Sequence, residues 1–123
     1  DTVKEMESAK KGIERARAIL DLNPDDNRAL NMGAFGLLRL GEKEEAERWM
    51  QASIENAPMD SIVNYNAACF YALTGDPEKS IDRLEHCYLK VGNLNREWLE
   101  HDSDLDNIRD HPRFADVLAF FEL

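Results

Sequence analysis

Asp102, Asp104 and Asp106 alternate along a short segment, as carboxylates do in a calcium-binding loop. Such a loop needs glycine at its sharp turn and a bidentate glutamate at its end. Asn107 stands at the first of these places and Arg113 at the second. The segment therefore fits helix capping better than metal binding, and we expect no metal site. The candidate caps of the two following helices are Asp104, Asp110 and His111.

Cysteine and histidine are the other residues that suggest chemistry. His86 and Cys87 are neighbours on a predicted helix, so they point about 100° apart and share a metal poorly. Cys69 is expected on the inner face of its helix, as the more exposed thiol, but no histidine is placed in sequence to activate it. Groove or core lining fits both cysteines better than catalysis, and we expect both to be unbridged. No phosphate-binding glycine loop, G-x-S-x-G or H-E-x-x-H motif occurs, so we expect no catalytic residue and no cofactor.

Composition limits the partners that the chain can have. The 123 residues carry 15 Lys and Arg against 25 Asp and Glu, a net charge of −10, which repels phosphate backbones. We expect neither nucleic-acid nor membrane binding, since no apolar run approaches the ~20 residues of a membrane span. Two cysteines and no signal peptide favour a cytoplasmic protein. The chain begins at Asp1 without methionine, which favours a piece of a longer protein.

Landmark residues recur at a spacing of 34 positions, which indicates an internal repeat. The spaced pairs are Pro24 and Pro58, Ala34 and Ala68, and Gly41 and Gly75. Apolar residues at helical spacing predict helices throughout, with Ser61 capping one of them and Asp76 another. The predicted helices span 2–22, 27–40, 44–57, 61–73, 77–91, 95–101, 104–109 and a last helix from His111-Pro112. We therefore expect a single domain with a leading helix or partial repeat at 2–26, repeats at 27–60 and 61–92, and a helical cap at 93–123. The apolar side of this cap is expected to consist of Trp98, Leu105, Ile108, Phe114, Leu118 and Phe121.

These repeats resemble the tetratricopeptide repeat family, whose signature is W-x₂-L-G-x₂-Y, then A-x₃-F, then P. The first full unit reads Leu30-x₂-Gly33-Ala34-x₂-Leu37, then Ala46-x₃-Met50, then Pro58. The second reads Asn64-x₂-Ala67-Ala68-x₂-Tyr71, then Ser80-x₃-Leu84, with Gly92 in place of proline. The resemblance implies an all-α, right-handed solenoid of antiparallel helix pairs with a helical C-terminal cap.

A narrower resemblance runs through the C-terminal half. This half is similar to the C-terminal repeat regions of bacterial adenylate-cyclase-like and kinase-like signalling proteins. The matching segments are the stretch from Tyr65 to Leu73, Arg96-Glu97-Trp98-Leu99, Asp102-x-Asp104-Leu105-Asp106 and His111-Pro112-Arg113-Phe114. In those proteins the repeats are attached to a catalytic or DNA-binding domain. This resemblance implies a regulatory part of a larger bacterial signalling protein.

The first helix of each pair lines a concave groove in such repeats, and solenoids bind partners there. The resemblance places the following residues in that groove: Arg28, Asn31, Phe35, Leu38, Arg39, Ile62, Tyr65, Asn66, Cys69 and Leu73. This largely apolar set predicts a binding site for a peptide or helix, with Tyr65 and Phe35 as its main anchors. Asn31 and Phe35 stand where chaperone-binding relatives carry cations, which argues against a chaperone tail as the ligand.

We therefore predict a protein-interaction or scaffold module that binds another protein or peptide. Two alternatives stay open: a structural domain that dimerises its parent protein, and a groove that is covered by the chain's own C-terminal segment or by the parent. A stand-alone enzyme is the remote alternative.

Overall fold

The computed structural model of the chain describes residues 2–91 and 96–120, without the side chains of residues 90 and 91. Within these ranges every regular element is helical and no strand occurs, so the predicted all-α fold class is confirmed. The α-helices are α1 (Thr2–Leu22), α2 (Asn27–Arg39), α3 (Lys43–Asn56), α4 (Ser61–Thr74), α5 (Pro77–His86), α6 (Arg96–His101) and α7 (Pro112–Ala119). A π-helical turn (Cys87–Val91) follows α5, and a 3₁₀ helix (Ser103–Ile108) follows α6. No described helix is both long enough and apolar enough to cross a membrane.

The chain forms two compact units, Asp1–Pro58 and Met59–Leu123. In the first unit, α2 packs against both α1 and α3. The leading helix α1 is continuous, and its buried stripe consists of Ala9, Ile13 and Ala16. The remaining core of this unit comes from Ala29, Leu30, Ala34, Leu37, Ala46, Met50 and Ile54.

In the second unit, α4 and α5 form the second helix pair, and the C-terminal elements pack onto it. The 3₁₀ helix lies against α4, and α7 lies against α5. As expected, Leu105, Ile108 and Phe114 are buried apolar residues of this C-terminal segment, together with Leu99 and Val117. Trp98 differs from expectation, because about half of its surface (49%) is exposed. Gly92 and Phe121, which were also assigned to this region, lie outside the described residues.

The 34-residue spacing reappears in the residues that begin and end the helices. Asp26 and Asp60 cap α2 and α4, because their carboxylates accept hydrogen bonds from the first-turn backbone N–H groups of those helices. The prediction that Ser61 caps α4 is therefore wrong by one position. Gly41 and Gly75 end the first helices of the two pairs at φ of 84° and 82°, a left-handed conformation that favours glycine.

Three further boundaries were predicted in the C-terminal half. Asp76 caps α5 by accepting from the backbone N–H of Lys79, as expected. His111 likewise caps α7, with Nδ1 accepting from the backbone N–H of Arg113. Asp104 does not cap the 3₁₀ helix, because Asp102 occupies that position and accepts from the backbone N–H of Asp104.

A close contact between α2 and α3 depends on the absence of a side chain at Gly33. A Cβ atom at this position would overlap the Trp49 indole and touch Ala16 of α1. The Trp49 indole is also in contact with Arg17 of α1, whose guanidinium lies 5.3 Å from the ring centroid. The same guanidinium pairs with the Glu45 carboxylate over 2.8 Å. Gly33 therefore sets how closely the helices of the first unit approach one another.

We expect Gly33→Ala to lower the free energy of unfolding by about 1–3 kcal/mol, because overpacking outweighs the gain in helix propensity. Gly12→Ala is the matched control. Gly12 also lies within a helix, but a Cβ there would meet open space, so the same change should stabilise by about 0.5–1 kcal/mol. Urea unfolding followed by circular dichroism measures both variants. Equal effects would show that the Trp49 contact does not constrain the packing.

Candidate functional site

Of the binding residues predicted on α2, four are at least partly exposed and one is buried. Arg28 and Arg39 are exposed, and Phe35 and Leu38 are half-buried. Asn31 is buried instead, with 4% of its surface exposed, and its Nδ2 donates a hydrogen bond to Ser53 Oγ on α3. Asn31 therefore joins α2 to α3, and it does not present its side chain to a ligand.

The residues predicted on α4 divide in the same way. Ile62 and Leu73 are exposed, with 63% and 42% of their surfaces accessible, and Asn66 is half-buried. Tyr65 and Cys69 are buried, at 7% and 3% exposure. The expectation that Tyr65 is an exposed groove residue is therefore wrong in the isolated chain. Cys69 and Cys87 are both buried, so neither offers an exposed thiol.

Tyr65 is buried because residues about 35 positions later in the chain cover it. Its hydroxyl donates a hydrogen bond to Asp102 Oδ2 over 2.8 Å. Its ring packs against Trp98, with centroids 5.0 Å apart and planes tilted by 54°. Burial is the main cause that raises the pKa of the Tyr65 hydroxyl, with the neighbouring Cys69 and Asp102 adding to it. The hydroxyl is therefore a permanent donor to the Asp102 carboxylate.

The Asp102 carboxylate collects three donors. Besides the bond from the Tyr65 hydroxyl, Oδ2 accepts a hydrogen bond from the Cys69 thiol over 3.8 Å. Oδ1 accepts one from the backbone N–H of Asp104 over 3.0 Å. Burial raises the pKa of the Cys69 thiol, and the charges of Asp102 and Asp104 raise it further. Cys69 is consequently held as a thiol, which is the unreactive form of cysteine.

A cleft of about 240 Å³ opens beside these residues. Ile62, Tyr65 and Asn66 of α4 form one side of its lining, and Trp98 and Asp102 form the other. Three of the five lining residues were predicted as binding residues. Trp98 was predicted only as an apolar cap residue, and Asp102 only as part of an acidic loop.

The same region contains a set of atoms that could hold a cation. Cys69 Sγ and one carboxylate oxygen each of Asp102 and Asp104 lie within 4.8 Å of one another. Burial raises the pKa of the Asp104 carboxyl, and the nearby Asp102 and Asp106 charges raise it further. These carboxylates therefore concentrate negative potential under the cleft. The protonated thiol is a poor metal ligand, so the arrangement does not favour a transition metal.

Arg113 connects the C-terminal helix α7 to α5. Its guanidinium contacts three carboxylates of α5, those of Glu78, Asp82 and Glu85, over 2.5, 2.8 and 3.1 Å. His111 Nε2 lies 2.9 Å from the Glu78 carboxylate. The hydrogen bonds to Asp82 and Glu78 are the largest causes that raise the pKa of Arg113. This network orients α7 on α5.

Comparison with known proteins gives one relevant likeness. The chain is 31% identical over 72 residues to interferon-induced protein with tetratricopeptide repeats 3 of Mus musculus. The aligned part is 58% of this chain and 18% of that protein, so the chain spans under a fifth of the relative's length. No family model matches the chain, and no solved structure matches it. The likeness supports a tetratricopeptide-like repeat and, in general terms, a protein-interaction module.

We expect Tyr65→Phe to lower the free energy of unfolding by about 1–3 kcal/mol, because Asp102 loses a buried donor to its charge. Tyr88→Phe is the control. The Tyr88 hydroxyl donates to a neutral acceptor, the Phe120 carbonyl, over 3.1 Å, so its loss should cost about 1 kcal/mol or less. Urea denaturation compares the two variants. A larger loss for Tyr88→Phe would contradict the central role of the Tyr65–Asp102 bond.

Cys87 makes the stability of the second unit sensitive to alkaline pH. Burial raises the pKa of its thiol from 9.0 to about 11, and the Arg83 charge only partly offsets this. Because the folded chain holds this proton more tightly than the unfolded chain, the stabilisation is complete below pH 9.0 and is lost as pH rises through about 11.

We therefore expect the free energy of unfolding of the wild type to fall more steeply over that pH range than that of Cys87→Ala. Denaturant unfolding at several pH values gives the two slopes. Parallel slopes would show that Cys87 does not contribute to the pH dependence.

Proposed function

We propose that the chain is a non-catalytic interaction module that binds a peptide or helix of another protein along the exposed side of α4. The observation that carries this proposal is the cleft beside Ile62 and Trp98. Apolar surface remains accessible there, although the rest of α4 is largely buried. Accessible apolar surface beside a pocket is typical of sites that bind proteins. The tetratricopeptide-like repeat supports the same conclusion.

The first unit offers a candidate surface of its own on α2. Arg28 and Arg39 offer exposed guanidinium groups, and Phe35 and Leu38 offer partly accessible apolar surface. We propose that these four residues contact a partner and that the buried Asn31, Tyr65 and Cys69 support the surfaces from beneath. The arginines suit an acidic or carboxylate group on the ligand.

The protonation of the buried groups favours binding over catalysis. A nucleophilic cysteine needs thiolate character, whereas burial and two carboxylates keep Cys69 protonated. The Tyr65 hydroxyl is likewise held protonated and is already bonded to Asp102. These groups therefore support an interaction surface better than a nucleophile–base pair.

The wider setting that we propose is a regulatory part of a larger, cytoplasmic, bacterial signalling protein. This rests on the resemblance of the C-terminal half to the repeat regions of such proteins. The net charge of −10 favours protein partners over nucleic acid or anionic membranes.

Selection of random peptides displayed on phage, with the whole chain as bait, tests the proposal. Selected peptides should bind with dissociation constants on the order of micromolar. Ile62→Lys should weaken binding at least about tenfold, because it places a positive charge in the apolar rim of the cleft. Leu89→Lys is the matched control, since Leu89 is about equally exposed, at 61%, but does not line the cleft.

Two outcomes would count against this proposal. If no peptide is enriched, or if Leu89→Lys abolishes binding while Ile62→Lys does not, the surface is assigned wrongly. Light scattering separates the dimerisation alternative: a dimer that Ile62→Lys converts into a monomer would make this face a self-association surface.

A further inference from the structure

The cleft beside α4 has the chemistry of a site for an organic cation. Two aromatic rings, Tyr65 and Trp98, line it together with the Ile62 side chain. Among the described residues that line it, Asp102 is the one that carries a charge, and Asn66 supplies a neutral amide. Aromatic faces and a carboxylate are the groups that bind ammonium and guanidinium ions.

We propose that this cleft binds a single basic side chain, lysine or arginine, of the protein partner. The inference rests on the proposed function and specifies what the partner must present at this point. It differs from the carboxylate recognition that Arg28 and Arg39 suit on α2, because the cleft carries the opposite charge.

The electrostatics around the cleft favour a cation. The Asp102 and Asp104 carboxylates approach within 4.8 Å, so a cation beside them would relieve their repulsion. Arg109 offsets part of this repulsion, while its hydrogen bonds go to the Leu99 and Asp102 carbonyl oxygens and to the Asp106 carboxylate. Thirteen acidic residues stand against six basic ones between Met59 and Leu123, so this unit as a whole attracts cations.

The lining also distinguishes a basic side chain from a metal ion. A hard cation such as Ca²⁺ takes six to eight oxygen ligands, whereas this cleft is lined mainly by aromatic and aliphatic carbon. Lysine and arginine carry an apolar stem below the charge, and that stem can lie along Ile62 and Trp98. The volume of about 240 Å³ is below the range of drug-sized ligand pockets, which suits one side chain.

The test uses n-butylammonium chloride as the probe, because it reproduces the end of a lysine side chain. The indole N–H signal of Trp98 in the ¹⁵N-labelled whole chain reports binding, and the Trp98→Phe spectrum identifies this signal. We expect a saturable shift with a dissociation constant on the order of millimolar. Neutral n-butanol and sodium chloride at equal ionic strength should shift the signal at least about fivefold less.

Charge dependence is tested with isosteric variants. Asp102→Asn removes the charge and leaves one amide oxygen, which can accept from the Tyr65 hydroxyl or from the backbone N–H of Asp104 but not from both. The variant should weaken n-butylammonium binding at least about fivefold. Asp106→Asn is the control. It removes one charge from the 3₁₀ helix that Asp102 caps, but Asp106 pairs with Arg109 and does not line the cleft, so binding should change less than about twofold.

Three results would overturn the cation site. An equal response to n-butanol means an apolar cleft only, and a response to calcium chloride without one to n-butylammonium means a metal site. The absence of any saturable shift up to about 100 mM probe rules out cation binding of the expected strength. None of these measurements uses a partner, so their failure leaves the peptide selection standing. Peptides that are enriched without lysine or arginine would likewise overturn only the cation site.

Discussion

The hydrogen bond between the Tyr65 hydroxyl and the Asp102 carboxylate fixes the C-terminal segment on α4. A tyrosine hydroxyl can be buried at this depth only if it finds an acceptor, and a half-buried carboxylate needs donors in return. Asp102 satisfies both requirements and also caps the 3₁₀ helix. Once this bond forms, Trp98 lies against the Tyr65 ring, Cys69 becomes buried, and the cleft acquires its second side. The features of the candidate site therefore follow from one charge-assisted contact.

The forces that hold this segment differ in kind. Leu99, Leu105, Ile108, Phe114 and Val117 are almost completely buried, and removal of their surface from water provides most of the stabilisation. The three carboxylates around Arg113 are partly exposed, so their pairing is screened by solvent and contributes little to stability individually. These ion pairs instead determine the orientation of α7 on α5, because one guanidinium is bound to three acceptors.

The sequence left two alternatives for the predicted groove: it binds a partner, or the chain's own C-terminal segment covers it. The structure of α4 is compatible with both. The chain's own C-terminal segment covers the middle of the predicted binding face, at Tyr65 and Cys69, while Ile62 and Leu73 remain exposed at its ends. The cleft lies at the boundary between the covered and the uncovered parts of α4, where Trp98 and Asp102 stand beside Ile62. In the proposed function, the cap therefore narrows a continuous apolar face to a cleft with its own charge and shape. A partner then needs a specific basic group, whereas a bare apolar face would accept many ligands.

The sequence by itself determined the helical elements and most of their ends. Helical periodicity, aspartate caps and two turn glycines 34 residues apart act within a few residues, so they can be read from local sequence. Even the misplaced cap at Ser61 was wrong by only one residue. Only the tertiary structure decided that Tyr65 is covered, that Trp98 stays half-exposed, and that Asp102 accepts the tyrosine hydroxyl. These outcomes depend on a contact between residues 37 positions apart, and neither periodicity nor spacing carries information about which side chains meet across such a distance.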